Sequence, residues 1–480
     1  MSPQQDLDKQ GGPPFQRTYM GRTLGWVERP APPVYNIQDF GGSPDNFEPC
    51  DGPWNAALAA ISLSAGGRIH FPPGTYKFNT QPTFSYPSGV FSLAVTGDGQ
   101  DVSILTWPNA NGGLAFNLSN AAHTIHVRDL TFTTSQAGGG SALTISNTVS
   151  LGNFPGSDIT DVTFIGSDRA LTNWWTTAIS ATALSGLNIT RVSMFGQAAG
   201  ASGTGISLLG TAAPLELIVP NIIGCNFFSV GTGIAIGTQV QGVTVDQCNF
   251  TNGTTGIQVN AGGANLVQLD VASSQFNVLG NGVNLLSAMA DISLSGNLFF
   301  ILANGTGISG LNNVMTIVGN VFGGIGGSPP ANSIGISLGT TTAGAKTVIG
   351  HNVFNTLATG IAHQAGAAGT NINSNSFISV TTPISNISQS NRITNNDGYN
   401  PVAQATNISW PAASTATYTA GPSPETLYIV GGTVTAIKIP NNAGSQIYND
   451  TTVPRVIELG PGETASITYS VVPTLVRTVH

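Results

Sequence analysis

Residues 222–257 read IIGCNFFSVGTGIAIGTQVQGVTVDQCNFTNGTTGI. Two phrases occur twice in this stretch. One ends in Phe (GCNF at Phe227, QCNF at Phe250), and a Gly-Ile pair follows it (Gly233-Ile234, Gly256-Ile257). Outward from here the Phe phrase continues in both directions. It appears as DLTF at Phe132, DVTF at Phe164, RVSM at Met194, SSQF at Phe276, GNLF at Phe299, GNVF at Phe322, HNVF at Phe354 and SNSF at Phe377, at intervals of 23 to 33 residues. The second column continues as Gly282-Val283, Gly307-Ile308, Gly335-Ile336 and Gly360-Ile361. A self-similar period of this size marks a solenoid, in which one repeat cannot bury its apolar face until neighbours stack on it.

The local pattern selects the kind of solenoid. Positions five and two before each Phe are small or apolar (Val127/Leu130, Ile159/Val162, Ile222/Cys225, Val245/Cys248), with polar residues between them. That is short alternating strand with a bend, not an amphipathic helix. Gly and Asn are expected at the bends, where positive φ is wanted. The reading is an all-β chain folded as a parallel β-helix, with Phe, Ile and Cys in interior columns. At about 4.8 Å per coil, ten marked coils make a rod roughly 45–50 Å long.

Only 8% of the 480 residues are charged, the net charge is −8, and no basic run exists. Nucleic acid and anionic membranes are therefore poor candidate partners. Polarity is carried by neutral hydrogen-bonding groups, which suits stacked strands and sugars. Of three cysteines, Cys225 and Cys248 share a column one coil apart and are expected as core thiols, not a disulfide framework. MSPQQDLDKQ has no apolar stretch, and no run of 18 apolar residues occurs, so neither a signal peptide nor a membrane span is expected.

Residues 1–34 form a Pro- and Gly-punctuated lead, either an adhesive peptide or a loosely packed tail. Then come YNIQDFGGSPDN, CDGPWNAALAAI and GGRIHFPPGTYKF. They read as a strand, a turn-rich connection and a helix with Asp51 as N-cap and Pro53 in its first turn. Trp54, Ala57, Leu58 and Ile61 share one apolar face of that helix, fit to cap the open end of a solenoid. A strand ending in a Pro-Pro-Gly corner follows. This order resembles the opening of the pectate-lyase-like superfamily, through Asp39-Phe40-Gly41-Gly42, Asp51, Ala56-Ala57, Ala60-Ile61 and Phe71-Pro72-Pro73-Gly74-Thr75-Tyr76. The resemblance implies a right-handed parallel β-helix over residues 35–400.

From about 401 to 480 the repeat stops, and ETLYIVGGTVTAIKIP, RVIELGPGETASITYS and VVPTLVRTVH read as alternating strands of a small antiparallel β domain. The phrases GYNPV, GPSPETLYIVGGTVTAIKI and LGPGETASITYSVVPT, with the lead FQRTYMGRTLGWVERP, resemble modules of bacteriophage tailspikes and tail fibres. That resemblance implies a homotrimer in the virion tail, joined to tail or baseplate proteins by the lead. It would bind, and commonly cleave, a bacterial surface polysaccharide, with the C-terminal domain serving trimerisation or receptor contact.

Glycosidic cleavage usually takes two carboxylates, one protonated and one ionised. Two clusters are candidates for the catalytic groups. The first is SDITDVTFIGSDRALTNWW, holding Asp158, Asp161 and Asp168 beside Arg169, Trp174 and Trp175, which could grip a sugar acid and a pyranose face. Asp129, Asp161 and Arg191 share a column, so Asp161 could equally pair with Arg191 across a coil; the two Trp could equally pack. The second cluster, Asp246, Asp270 and Asp291, steps diagonally over successive coils with separations on the order of 8 Å; solvated surface acids are the alternative. His126 shares a column with Asp158, Asn188 and Asn221, as a polar ladder or a general base. No metal-binding motif appears, and no cofactor is expected. The expectation is a tailspike depolymerase, hydrolase or lyase. The scarcity of acids keeps a non-catalytic receptor-binding spike open, and the missing signal peptide disfavours a secreted pectinase-like enzyme.

Overall fold

The computed structural model describes residues 18–19, 22–23, 33–64, 66–87, 89, 92–149, 156–198, 202–211, 215–264, 266–341, 346–364, 367, 369–385, 391–399, 406–410, 414–440, 446–449 and 454–479. Most of the lead, residues 1–34, lies outside the described residues. The rest is a right-handed parallel β-helix of about twelve turns followed by two small antiparallel sheets.

One coil shows the plan. Asn221–Ile223 lies on a first face, the chain bends at Gly224, Asn226–Phe228 lies on a second face, and Thr232–Ile236 lies on a third. Val240–Asp246 then returns to the first face one layer on. The third face is a sheet of twelve parallel strands, from Thr83–Ser85 to Thr382–Ser385.

The phenylalanines are the rungs. In register, Phe132 follows Tyr76 and Leu105, then come Phe164, Met194, Phe227 and each later Phe to Phe377. From Phe227 to Phe377 the rings stack nearly parallel, with centroids 4.6–4.9 Å apart and planes within 11°. That spacing is the distance between hydrogen-bonded strands, so the stack costs no strain in register. Each ring lies where the Cβ of the facing glycine would stand. A Cβ on Gly233, Gly256, Gly282 or Gly335 would come within 2.7 Å of the ring of Phe250, Phe276, Phe299 or Phe354 respectively. The Gly-Ile column therefore exists because the ring fills the space a side chain would need.

Cys225 and Cys248 are buried free thiols in one column, as expected. That column continues as Ser274, Asn297, Asn320, Asn352, Asn375 and Asn396. Each asparagine Oδ1 accepts from the backbone N–H and the Nδ2 of the one before, at 2.9–3.0 Å. The Nδ2 groups also donate to backbone carbonyls, as Asn320 does to Leu294. Every polar atom of the ladder has a partner, which is the condition for burying amides at all.

The bends differ from expectation. The residue three before each Phe has a φ of +50° to +66°, but along the column it is Asp129, Asp161, Arg191, Gly224, Gln247, Ser273, Gly296, Gly319, His351, Ser374 and Asn395. Glycine and asparagine supply fewer than half of these positions. Where the bend N–H bonds to the next coil, as Arg191 does to Ile223 and Ser273 to Ser295, the ladder offsets the cost of the left-handed conformation.

The helix Asp51–Ile61 buries Trp54, Ala57, Leu58 and Ile61 over the first coils, and Trp54 packs on Phe71, Phe78 and Phe116. Asp51 is not its N-cap. Cys50 takes that position without a side-chain bond, and the Asp51 carboxylate instead accepts from the N–H groups of Asn79 and Thr80 at 2.9 and 3.0 Å. The acid is more useful tying the helix start to the next coil than satisfying its own first turn.

Past the last coil, two four-stranded antiparallel sheets enclose a separate core of Leu427, Ile429, Ile437, Ile467 and Tyr469. Glu425 is buried there against Tyr418, the Gly421 N–H and Arg477. The N–H of Ile393 bonds to Pro422, linking this unit to the last coil.

Candidate functional site

Ionic side chains gather on the first face and its bend, between Arg68 and Arg191. In register, one outward column of that face runs Arg68, Ala94, His126, Asp158, Asn188, Asn221. The neighbouring column runs His70, Thr96, Arg128, Thr160. His70 lies 3.5 Å from Asp98.

Asp158 is the centre of the group. Arg128 holds it bidentately, Nε to Oδ1 at 2.6 Å and Nη2 to Oδ2 at 2.8 Å, and His126 Nδ1 contacts Oδ2. Burial pushes the carboxyl up, but the bonds from His126 and Arg128 outweigh it and bring Asp158 down to about 2. Because the carboxylate is ionised, Nδ1 is the donor in this contact.

The other carboxylates of this region are also engaged. Asp161 forms the anticipated bidentate pair with Arg191, at 2.8 and 2.6 Å, and this pair holds it low. Asp101 is held low by Arg169, which reaches it from 68 residues away. Asp168 caps its own turn, accepting from the N–H groups of Ala170 and Thr172 at 3.2 Å and from the Thr172 hydroxyl. Slight burial raises it, but these bonds leave it below the usual range. Each pairing favours the ionised form.

The loop carrying Asp168 and Arg169 reaches back to Asp101 through the Arg169 guanidinium. Thr131, Thr133, Thr163 and Ile165, on or beside the outward columns, are all buried. The two tryptophans separate: Trp174 is half-buried at the edge of the third face, whereas Trp175 is inside. Trp175 Nε1 donates to the Phe132 carbonyl at 3.3 Å and its ring meets Trp107 edge-on at 5.8 Å, so it is a core residue and not a sugar platform.

The second cluster keeps its diagonal. Asp246 lies opposite Ala272, Asp270 opposite Ser293, and Asp291 one residue before Ile292, which faces Leu269. Asp270 and Asp291 are exposed and form no ion pair among the described residues.

Sequence reasoning missed Arg128 and Asp101. Arg128 was within reach of column arithmetic, since it lies one coil and two residues from Asp158, the same offset found for the aspartate diagonal. Asp101 was hidden because its coil carries Leu105 where the repeat has Phe. Among the described residues no group of three or more His, Cys, Asp or Glu is arranged to hold a metal, and no helix is long and apolar enough to cross a membrane.

No family model matches the chain. Over 68 residues, 14% of this chain, it is 35% identical to the SPbeta prophage-derived uncharacterized protein YomE of Bacillus subtilis (strain 168), and the match covers 10% of that protein's length. Solved structures with the same backbone path include the Dettilon tailspike protein, at 12% identity and a TM-score of 0.51 over 92% of this chain and 94% of that one. Tailspike protein 3 of bacteriophage CBA120 is 14% identical at a TM-score of 0.51, over 80% of this chain and 65% of that one. The DFA-IIIase of Arthrobacter chlorophenolicus A6 is 14% identical at 0.51, over 71% and 93%. At these identities the likeness concerns the right-handed β-helix.

Proposed function

We propose that this chain is a bacteriophage tailspike that binds a bacterial surface polysaccharide and cleaves it. The observation that carries the reading is the co-extensive likeness to the Dettilon tailspike, over 92% of this chain and 94% of that one. The prophage origin of the protein that is 35% identical to this chain over 68 residues supports the same reading. In this proposal the protein sits in the virion tail as a homotrimer, residues 1–34 join it to tail or baseplate proteins, and residues 401–480 serve trimerisation or receptor contact.

The glycan would lie along the coils that carry ionic groups, with Trp174 offering a ring to a sugar face and Arg169 a cation at the loop tip. Asp246, Asp270 and Asp291 form a second patch along the same rod. Incubation of the full chain with capsule, exopolysaccharide and lipopolysaccharide from a panel of hosts tests this: short oligosaccharides should appear with one of them. A chain that binds none of the panel is not a polysaccharide-directed spike.

One observation favours a second reading, a spike that binds without cleaving. Asp101, Asp158, Asp161 and Asp168 are all tied to partners that keep them ionised, so none is poised to protonate a leaving group as a general acid. Tight glycan binding with no released product from any polymer bound would establish it.

A further inference from the structure

We propose that the C-terminal unit closes the open end of the rod, with residues 420–424 as its seat, and that the later coils hold in order from that seat back towards Asn297. This role lies within the chain itself and is independent of any ligand.

A parallel solenoid has an uncovered core and unpaired strand edges at each end. At the N-terminal end the helix Asp51–Ile61 covers them. At the other end the last strand of the first face is Arg392–Thr394. It pairs with Thr370–Asn373 on one side and, among the described residues, with no strand on the other. Ile393 and Asn391 are nevertheless buried. The Ile393 N–H donates to the Pro422 carbonyl at 2.9 Å, the kind of bond by which Ile292 reaches Val314 of the next coil. Pro422 thus stands where a further coil would have supplied an acceptor. Having no N–H, it brings no donor of its own to be satisfied at the junction. On the second face the Asp397 carbonyl takes the Phe377 N–H at 2.9 Å, and Tyr399 packs against the core of the rod.

The seat is held from within the C-terminal unit. Buried Glu425 accepts from the Gly421 N–H at 2.9 Å and from the Tyr418 hydroxyl. Arg477 lies 3.7 Å from the same carboxylate and donates to that hydroxyl at 3.1 Å. The Ala420 N–H donates to the Glu463 carbonyl at 2.8 Å, and the Gly421 carbonyl accepts from the Gly462 N–H at 3.0 Å. The residues leading into Pro422 are therefore fixed, and its carbonyl with them. The amide ladder carries the effect along the rod, because all its steps run one way. Ser274 gives its N–H to Asn297, and Asn297, Asn320, Asn352 and Asn375 each give N–H and Nδ2 to the asparagine of the following coil. If the coil of Asn396 lifts, two donors of buried Asn375 lose an acceptor, and each earlier asparagine is exposed to the same loss in turn. The coils of Leu130, Val162 and Val192 have apolar groups at this position and no such dependence.

Hydrogen exchange of the full chain, read by mass spectrometry, tests this. Glu425→Ala should speed exchange in the coil of Phe377 by about tenfold, with smaller increases back to Asn297 and none before Met194. Tyr418→Phe removes one bond to Glu425 and should give the same order at smaller amplitude, which decides the matter if Glu425→Ala does not fold. Asn396→Ala should speed exchange in the same coils while residues 414–479 exchange as in the unaltered chain. Faster exchange confined to residues 414–479 in the Glu425 and Tyr418 variants overturns the proposal, as does an increase spread evenly over early and later coils. An Asn396→Ala variant in which the coils before Asn375 exchange at the original rate overturns the ordered dependence.

Discussion

The coils before Met194 and those after Phe227 follow one backbone path but are held by different chemistry. In the earlier coils the column two before the repeat Phe is apolar, with Leu130, Val162 and Val192 all buried. In the later coils it becomes the amide ladder from Asn297 to Asn396. Outside, the contrast reverses. The early coils carry Asp158 with Arg128 and His126, Asp161 with Arg191, and Asp101 with Arg169. From residue 195 to 390 the only charged side chains are Glu216, Asp246, Asp270, Asp291 and Lys346. The later coils carry their polar bonding inside, and the early coils carry most of their ionic side chains outside. Polar groups inside a stack fix register, whereas polar groups outside are free to recognise.

Substitutions in both regions probe that contrast, from the largest effect down. Phe276→Ala opens a gap in a stack flanked by rings at 4.7 Å on both sides, and should cost about 3–5 kcal/mol in denaturant unfolding. The contrast is sharpened if Met194→Ala, outside the parallel ring stack, costs less. Asn320→Ala removes the acceptor for both the N–H and the Nδ2 of Asn297, at about 1–3 kcal/mol for each orphaned donor. If it unfolds like wild type, the ladder is not what secures the later coils.

Asp158→Asn should cost about 2 kcal/mol near neutral pH, because the carboxyl is lowered from 3.8 to about 2 in the folded state. The sign follows from that depression. The stabilisation is complete above 3.8 and is lost as pH falls towards about 2, so thermal midpoints of wild type and variant should converge across that window. A gap independent of pH would mean that packing, not ionisation, is what the residue contributes. Arg191→Gln should change stability least of these, and less still in high salt, since its side chain is 60% exposed. A larger loss would show that the bend at residue 191 depends on the pair.

Much of this was legible before any coordinates, for one physical reason. In a solenoid, residues one period apart become hydrogen-bonded neighbours, so counting along the chain gives contacts in space. That arithmetic placed the ring stack, the Gly-Ile column, the paired thiols, the Asp161–Arg191 bridge and the ladder from His126 to Asn221. It could not say why glycine precedes each Ile, because the ring that occupies the space belongs to the next coil. Nor could it place residues in the long coils. Arg169 meets Asp101, Trp175 turns inward, Asp168 closes its own turn and Asp51 leaves its helix for the next coil. Loop length carries no period, and which of several partners a loop side chain takes is decided by packing against layers laid down by distant parts of the chain.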